Sequence, residues 1–358
     1  MSYLIVIPAY NPKSDLIEYV DTLIANGYRH ILLVDDGSRD ECRGIFDTIT
    51  SKPGCTVLRH EINLGKGRAL KDAMRYYLDT YTVNSRNIES PRGIITVDSD
   101  GQHTAQDVFK VASAMDEDPD TLVLGARDFD SDNVPSKSKF GNKCTIVALK
   151  LFIGGSISDT QTGLRGIPAE HIERFQGLPG DRFEYETRML IDAIRSGVKI
   201  REVPIRTVYI DNNSETHFHP VIDSIKIYSV ILGTFFRYML SSLSSFLVDY
   251  GIFCALIYVL GQSDMNKGRS VWIATIISRI CSSLFNYTVN KKIVFKSSRG
   301  MTTFVMYYVL CIAVMAASAA LVSLIGTTGF PVQIAKIIVD TLLFIVSYRV
   351  QKQLIFKS

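Results

Sequence analysis

The strongest constraint on this 358-residue chain is an abrupt change of character near residue 220. Up to about Asp211 charged and apolar residues are mixed as in a water-soluble domain. Beyond about Pro220 apolar residues run in blocks long enough to cross a bilayer. One core cannot serve both parts. The chain therefore reads as a soluble domain over 1–219, an amphipathic helix over 220–240 and an all-α membrane domain over 241–358. Four spans are expected at about 241–261, 271–291, 302–325 and 332–350. In the 220–240 segment Val221, Ile225, Tyr228, Leu232, Phe235 and Met239 share one helical face, a pattern suited to the headgroup plane. Lys291, Lys292, Lys296 and Arg299 follow the second span, and Arg349, Lys352 and Lys357 follow the fourth. The positive-inside rule then puts both termini in the cytoplasm of a multi-pass plasma-membrane protein. Leu4–Ile7 is too short for a signal-peptide core, which agrees with a cytoplasmic first domain. A net charge of +3 is too weak to argue for a nucleic-acid partner, and six cysteines without paired spacing suggest neither zinc nor disulfides.

In the soluble part, strand-like runs at Leu4–Ile7, Ile31–Val34, Thr56–Leu58, Ile94–Val97 and Leu122–Leu124 alternate with helical stretches such as 15–24 and 66–77. That alternation predicts an open, Rossmann-like α/β sheet, mainly parallel, with ligands at the carboxyl ends of its strands. The loops there are polar: Pro8-Ala9-Tyr10-Asn11, Asp35-Asp36-Gly37-Ser38, Asn63-Leu64-Gly65-Lys66-Gly67 and Asp98-Ser99-Asp100-Gly101-Gln102-His103. Asp98 and Asp100, at i and i+2, project to the same side of an extended backbone. Such a pair cannot bury its charge without a nearby cation. Oxygen ligands that leave positions open for phosphate suit Mg²⁺ or Mn²⁺, so the motif points to a metal holding a diphosphate. A solvated acidic turn is the alternative reading of an isolated Asp-x-Asp. The Gly65-Lys66-Gly67 loop spells neither a Walker loop nor G-x-G-x-x-G.

Taken in order, these motifs resemble family-two glycosyltransferases of the GT-A fold. The Asp-x-Asp-x-Gln-His form is similar to the polyprenyl-phosphate branch that includes dolichol-phosphate mannose synthases. Gly125-Ala126-Arg127, the run from Ser158 to Arg165, and Glu184-Tyr185-Glu186 extend the likeness. The resemblance implies that Pro8, Ala9, Tyr10, Asp35, Asp36 and Lys66 hold the donor. Asp98 would contact the ribose or sugar-phosphate and join Asp100 and Gln102 at the divalent metal. Arg127 would bind phosphate beside the catalytic Asp98 and Asp100, while Asp159, Gln161 and Arg165 would line the sugar or acceptor side. Pro12 stands where the mannose synthases carry an acidic residue, and 209–219 is more like the bacterial undecaprenyl-phosphate sugar transferases. That favours UDP-glucose or a related uridine-linked sugar, with GDP-mannose and a dolichyl or other polyprenyl phosphate as the alternative. The implied reaction is an inverting transfer to polyprenyl phosphate that yields a lipid-linked sugar for cell-surface glycan. Lys137, Lys139 and Lys143 would screen the acceptor phosphate or simply form a solvated face. His217 is either a phosphate contact or a solvated histidine at the membrane surface. A processive polysaccharide synthase would need a Gln-x-x-Arg-Trp motif, but the only tryptophan is Trp272.

Within the spans stand Asp249, Arg279, Lys336 and Asp340, whose signs allow neutral pairing of Asp249 with Arg279 and of Lys336 with Asp340 four residues on. They read as structural glue or as a polar headgroup path. The segments 241–249, 286–295 and 343–352 resemble the GtrA family, a four-span module associated with polyprenyl-linked sugars. Anchoring the enzyme and flipping the lipid both remain open, as does assembly into a homo-oligomer.

Overall fold

The computed structural model describes residues 3–82, 90–127, 136–155, 157–206, 220–260, 262 and 267–356. The chain divides into two compact units, Met1–Ile231 and Leu232–Ser358.

The first unit is built on one seven-stranded sheet in the order β3-β2-β1-β4-β6-β5-β7. Its strands are β1 (Leu4–Ala9), β2 (Ile31–Asp35), β3 (Cys55–Arg59), β4 (Gly93–Thr96), β5 (Leu122–Arg127), β6 (Arg165–Pro168) and β7 (Ile200–Ile205). All pairings are parallel except those of β6 with β4 and β5. Alternate residues of β1 face opposite sides. Ile5 and Ile7 pack with Leu16, Val20, Phe46, Val108 and Val111, from α1 (Asp15–Ala25), α2 (Arg43–Thr50) and α4 (Ala105–Glu117). Leu4 and Val6 pack with Leu70, Ile172 and Met189, from α3 (Lys66–Tyr77), α6 (Ala169–Gln176) and α7 (Glu184–Ser196). A sheet covered on both faces needs apolar residues throughout, which is why its strands lack alternation. The helix α5 (Ser136–Phe152) joins β5 to β6.

The sheet explains the place of the site. The chain builds β1, β2 and β3 outward in one direction, then returns to lay β4 on the other side of β1. Such a reversal opens a crevice at the carboxyl ends of the two strands. Pro8 marks it: pairing between β1 and β4 stops at Val6, where Val97 N donates to Val6 O at 2.9 Å. Strand alternation turns the proline nitrogen to that same side, where no ladder bond is lost.

The second unit holds most of α8 (Pro220–Leu260), with α9 (Lys267–Val289), α10 (Thr302–Gly326) and α11 (Val332–Val350). The amphipathic segment and first span, expected as separate helices, form one uninterrupted helix. No second proline follows Pro220 within it, and isolated glycines, Gly233 and Gly251, do not stop a helix. By length and composition, Ile222–Leu260 and Thr302–Gly326 are apolar enough to cross a membrane. Arg279 in α9, and Lys336 and Asp340 in α11, dilute the apolar run in the other two helices. The six cysteines are free thiols.

Candidate active site

The carboxyl ends of β1 and β2 are locked together before any ligand is considered. Asn11 takes a left-handed backbone (φ 49°); its N–H donates to Ser38 Oγ and its Oδ1 accepts from Arg39 N, both at 2.9 Å. Asp35 accepts from Ser38 N at 2.9 Å and from Arg59 Nε at 3.0 Å, and lines a cavity of about 420 Å³ with Arg39, Arg43, Arg59 and Glu61. Asp36 faces a different task. Its Oδ1 accepts from Leu64 N (2.9 Å) and contacts His60 Nδ1 (2.8 Å), while Oδ2 accepts from Gly65 N (2.8 Å). Of the two aspartates expected beside the nucleoside, Asp35 borders open space and Asp36 braces the loop that begins α3. Pro8 and Ala9 are buried in the strand end, and Tyr10 is half-buried at its tip.

That loop delivers Lys66. Gly65 has φ 101°, and a Cβ there would come within 2.4 Å of Asp181 O. A Cβ on Gly67 would meet that of Tyr185 at 2.5 Å. Both neighbours of Lys66 are glycine because the start of α3 presses against the start of α7. The lysine Nζ lies 2.6 Å from Asp98 Oδ1 and 3.1 Å from Glu186 Oε2. Burial alone would lower its pKa, but Asp98 and Glu186 overcome this and hold the ammonium above the usual lysine range. Burial would raise the Asp98 pKa, yet Lys66 and His103 hold the carboxyl well below the usual range. Asp98 also abuts backbone: a Cβ on Gly163 would fall 2.1 Å from its Oδ2. Glu186 comes from α7, a partner that sequence spacing could not nominate.

Asp100 is held above the ordinary carboxylate range by loss of solvent and by the Asp98 charge, with the Gln102 N–H donating at 3.0 Å in opposition. Two carboxylates in mutual repulsion, with Gln102 in the same loop, suit a divalent cation. Among the described residues no cluster of three His, Cys, Asp or Glu encloses an ion. A cation held partly by substrate phosphates needs no such cage, so Asp98, Asp100 and Gln102 fit one bound in that way.

The loop before β6, expected on the sugar or acceptor side, is tied on three fronts. Arg127 Nε and Nη2 clamp the fully buried Asp159 at 2.7 and 3.0 Å. Asn142 of α5 donates to Ser158 O at 2.8 Å, and Glu202 of β7 accepts from Ser158 N at 2.7 Å. Gln161 is exposed at the loop's crest, and Lys139 and Lys143 are exposed on α5. Arg165, expected at the acceptor, is instead 1% exposed within β6. Its Nε donates to Thr162 O and Nη1 to Glu186 O, so it supports the carbonyl frame behind Glu186. His217 lies outside the described residues, as do the contacts of Lys137.

In the second unit Arg279 Nε lies 3.6 Å from Asp249 Oδ2, and the Ser282 hydroxyl donates to Asp249 Oδ1 at 3.1 Å. Lys336 lies 2.9 Å from Asp340, with the Ser318 hydroxyl bonded to both.

The family description "Glycosyl transferase family 2" matches residues 4–175, and "GtrA/DPMS, transmembrane domain" matches residues 237–356. An uncharacterised protein of Methanocaldococcus jannaschii is 34% identical over 209 residues, which cover 57% of this chain and 81% of the relative. A UDP-N-acetylglucosamine–dolichyl-phosphate N-acetylglucosaminyltransferase of Methanococcus voltae is 29% identical over 57% of this chain and 85% of its own length. The glycosyltransferase AglJ of Haloferax volcanii is 24% identical over 61% and 67% of the two chains. The α/β unit with its acidic strand end and the helical unit that follows it in sequence thus have a common identity: the chain is a member of glycosyl transferase family 2 that carries a GtrA/DPMS transmembrane domain.

Proposed function

We propose that this glycosyltransferase moves a sugar from a uridine diphosphate donor to the phosphate of a polyprenyl lipid, at the cytoplasmic face of a four-span membrane domain. One observation carries the reading: Asp98, Asp100 and Lys66 converge at the sheet's switch point in a chain whose remainder is a transmembrane domain. The Methanococcus voltae relative, named for a UDP-linked donor and a dolichyl-phosphate acceptor, supports the same chemistry.

The base and ribose would lie along Pro8, Ala9, Tyr10 and Asp35, beside the cavity lined by Arg39 and Arg59. A Mg²⁺ or Mn²⁺ held by Asp98, Asp100 and Gln102 would neutralise the leaving diphosphate. Lys66 supplies a fixed positive charge to the same oxygens. The acceptor phosphate has a second pKa near 6 and is mostly a dianion at neutral pH. Its oxygen attacks the anomeric carbon as the bond to the donor's diphosphate oxygen breaks, giving a glycosyl phosphate lipid and UDP with inverted configuration. No proton need be removed, so no general base is required. Glu186 remains an ion-pair partner of Lys66. Lys139, Lys143 and Gln161 would screen and orient the incoming phosphate, while Arg127 and Asp159 fix the loop that carries Gln161.

The test is transfer by purified full-length protein from a panel of UDP- and GDP-sugars, with polyprenyl phosphate or the unphosphorylated polyprenol as acceptor. A UDP-sugar and the phosphate should give product. Transfer to the free alcohol, or from GDP-mannose alone, would contradict the proposal.

A further inference from the structure

The membrane unit repeats itself. Residues 271–297 and 332–358 align at a constant offset of 61 without a gap, and eleven of the twenty-seven positions are identical. The fold reproduces the alignment. Val289 and Val350 end α9 and α11, and each is followed by a π-helical turn, Asn290–Val294 and Gln351–Ile355. Both turns close alike, with Phe295 N donating to Asn290 O and Phe356 N to Gln351 O.

Equivalent residues then meet one another. Asn290 Nδ2 donates to Gln351 Oε1 at 3.0 Å, and the Phe295 and Phe356 rings stack at 5.4 Å. Tyr287 touches Phe356 at 5.8 Å, and Tyr348 touches Phe295 at 6.0 Å. This reciprocity is the signature of an isologous contact, here within one chain. The halves are related by an approximate two-fold axis. Because the same helix ends meet across it, both turns lie at the same end of the bundle.

The axis therefore presents one chemical group twice. Lys291 stands over the Tyr287 ring at 5.7 Å, and Lys352 stands over the Tyr348 ring at 5.9 Å. Each elbow has a second cation, Lys292 in the first and Arg349 in the second. The remaining helix surfaces diverged, even to opposite charge at the equivalent positions Arg279 and Asp340. A cation pair beside an aromatic ring, at the end of apolar membrane helices, suits a phosphate joined to a hydrocarbon chain.

We propose that the two elbows are equivalent seats for a lipid-borne phosphate, one in each half. Phospholipid headgroups and polyprenyl phosphate share this chemistry. Native mass spectrometry of the full chain, with phosphatidylglycerol, phosphatidylcholine or a short polyprenyl phosphate, counts the retained lipids. Two phosphatidylglycerol molecules should be held at least tenfold more tightly than phosphatidylcholine. K291Q/K292Q should remove one, R349Q/K352Q the other, and the four changes together both. K291R and K352R should keep them, which separates lost charge from lost fold. Displacement of phosphatidylglycerol by polyprenyl phosphate would identify the seats with the acceptor, and retention would identify them with bulk headgroups. Unchanged lipid counts in a folded quadruple variant would overturn the proposal, as would loss of both lipids from either double variant.

Discussion

Lys66→Met should strengthen divalent-metal binding by the free enzyme while it weakens transfer. The Lys66 ammonium already occupies the charge-balancing place beside Asp98, 2.6 Å from Oδ1, so an incoming dication must compete with it. At an effective dielectric of about 20, an ammonium about 5 Å from a dication opposes it by roughly 7 kcal/mol. Lys66 can swing towards Glu186 Oε2, now 3.1 Å away, and recover most of that. A residue of about 1.4 to 2.8 kcal/mol would remain, which is ten- to a hundredfold in affinity. Removing the lysine also takes from Asp98 and Glu186 the ammonium they share and leaves only the longer contacts to His103 and Arg165, where losing one partner of a buried pair costs up to about 3–5 kcal/mol. The variant should therefore be less stable without metal, and Mn²⁺ should raise its Tm more than that of the wild type. Electron paramagnetic resonance titration of Mn²⁺ without nucleotide measures the affinity directly. Transfer should fall by about 100-fold, as when one preorganised charge is lost from a leaving-group site. A folded Lys66→Met protein that binds Mn²⁺ no better than the wild type would refute the reasoning.

Three further outcomes follow from the geometry. Gly163→Ala puts a methyl group 2.1 Å from Asp98 Oδ2, so UDP binding by calorimetry should weaken at least about tenfold while helical circular dichroism is retained. Asp159→Asn leaves the Arg127 guanidinium without its buried carboxylate, and chemical denaturation should show a loss of about 3 kcal/mol. Asp107 is opposed by burial but held below the ordinary aspartate range by Lys110, Thr104 and the Arg206 N–H. Its contribution is present above the unfolded pKa of about 3.9 and is lost as pH falls through the folded value. Asp107→Asn should accordingly lower Tm near pH 7, and the difference from wild type should shrink below about pH 4.

Much of this molecule is legible in its sequence, and the exceptions have physical causes. The helix over 66–77 and the first five strands stand close to where apolar runs bounded by polar loops put them. β6 and β7 escape that reading. β6 is four residues long and ends in Pro168, and β7 is an edge strand whose Arg201 and Glu202 break the apolar run. Asp98, Asp100 and Lys66 are readable because strand-end loops concentrate ligand-binding chemistry. Their partners are not, since Glu186 and the Arg127–Asp159 clamp meet only through the order of the sheet. Arg165 shows the opposite error: a polar residue in a motif turned inward to bind carbonyls. The duplication in the membrane unit is visible when the sequence is compared with itself at an offset of 61, because only the elbow residues and a short apolar run were kept.

In the proposed reaction the acidic end of β4 and a divalent cation together hold the departing nucleoside diphosphate. The most direct measurement is the initial rate of lipid-linked sugar formation by the full-length protein, first stripped of metal with excess chelator and then resupplied with Mn²⁺. The rate should drop to background and return on resupply, and in Asp100→Asn it should stay near background throughout. Wild-type turnover that continues undiminished under chelation would contradict the assignment.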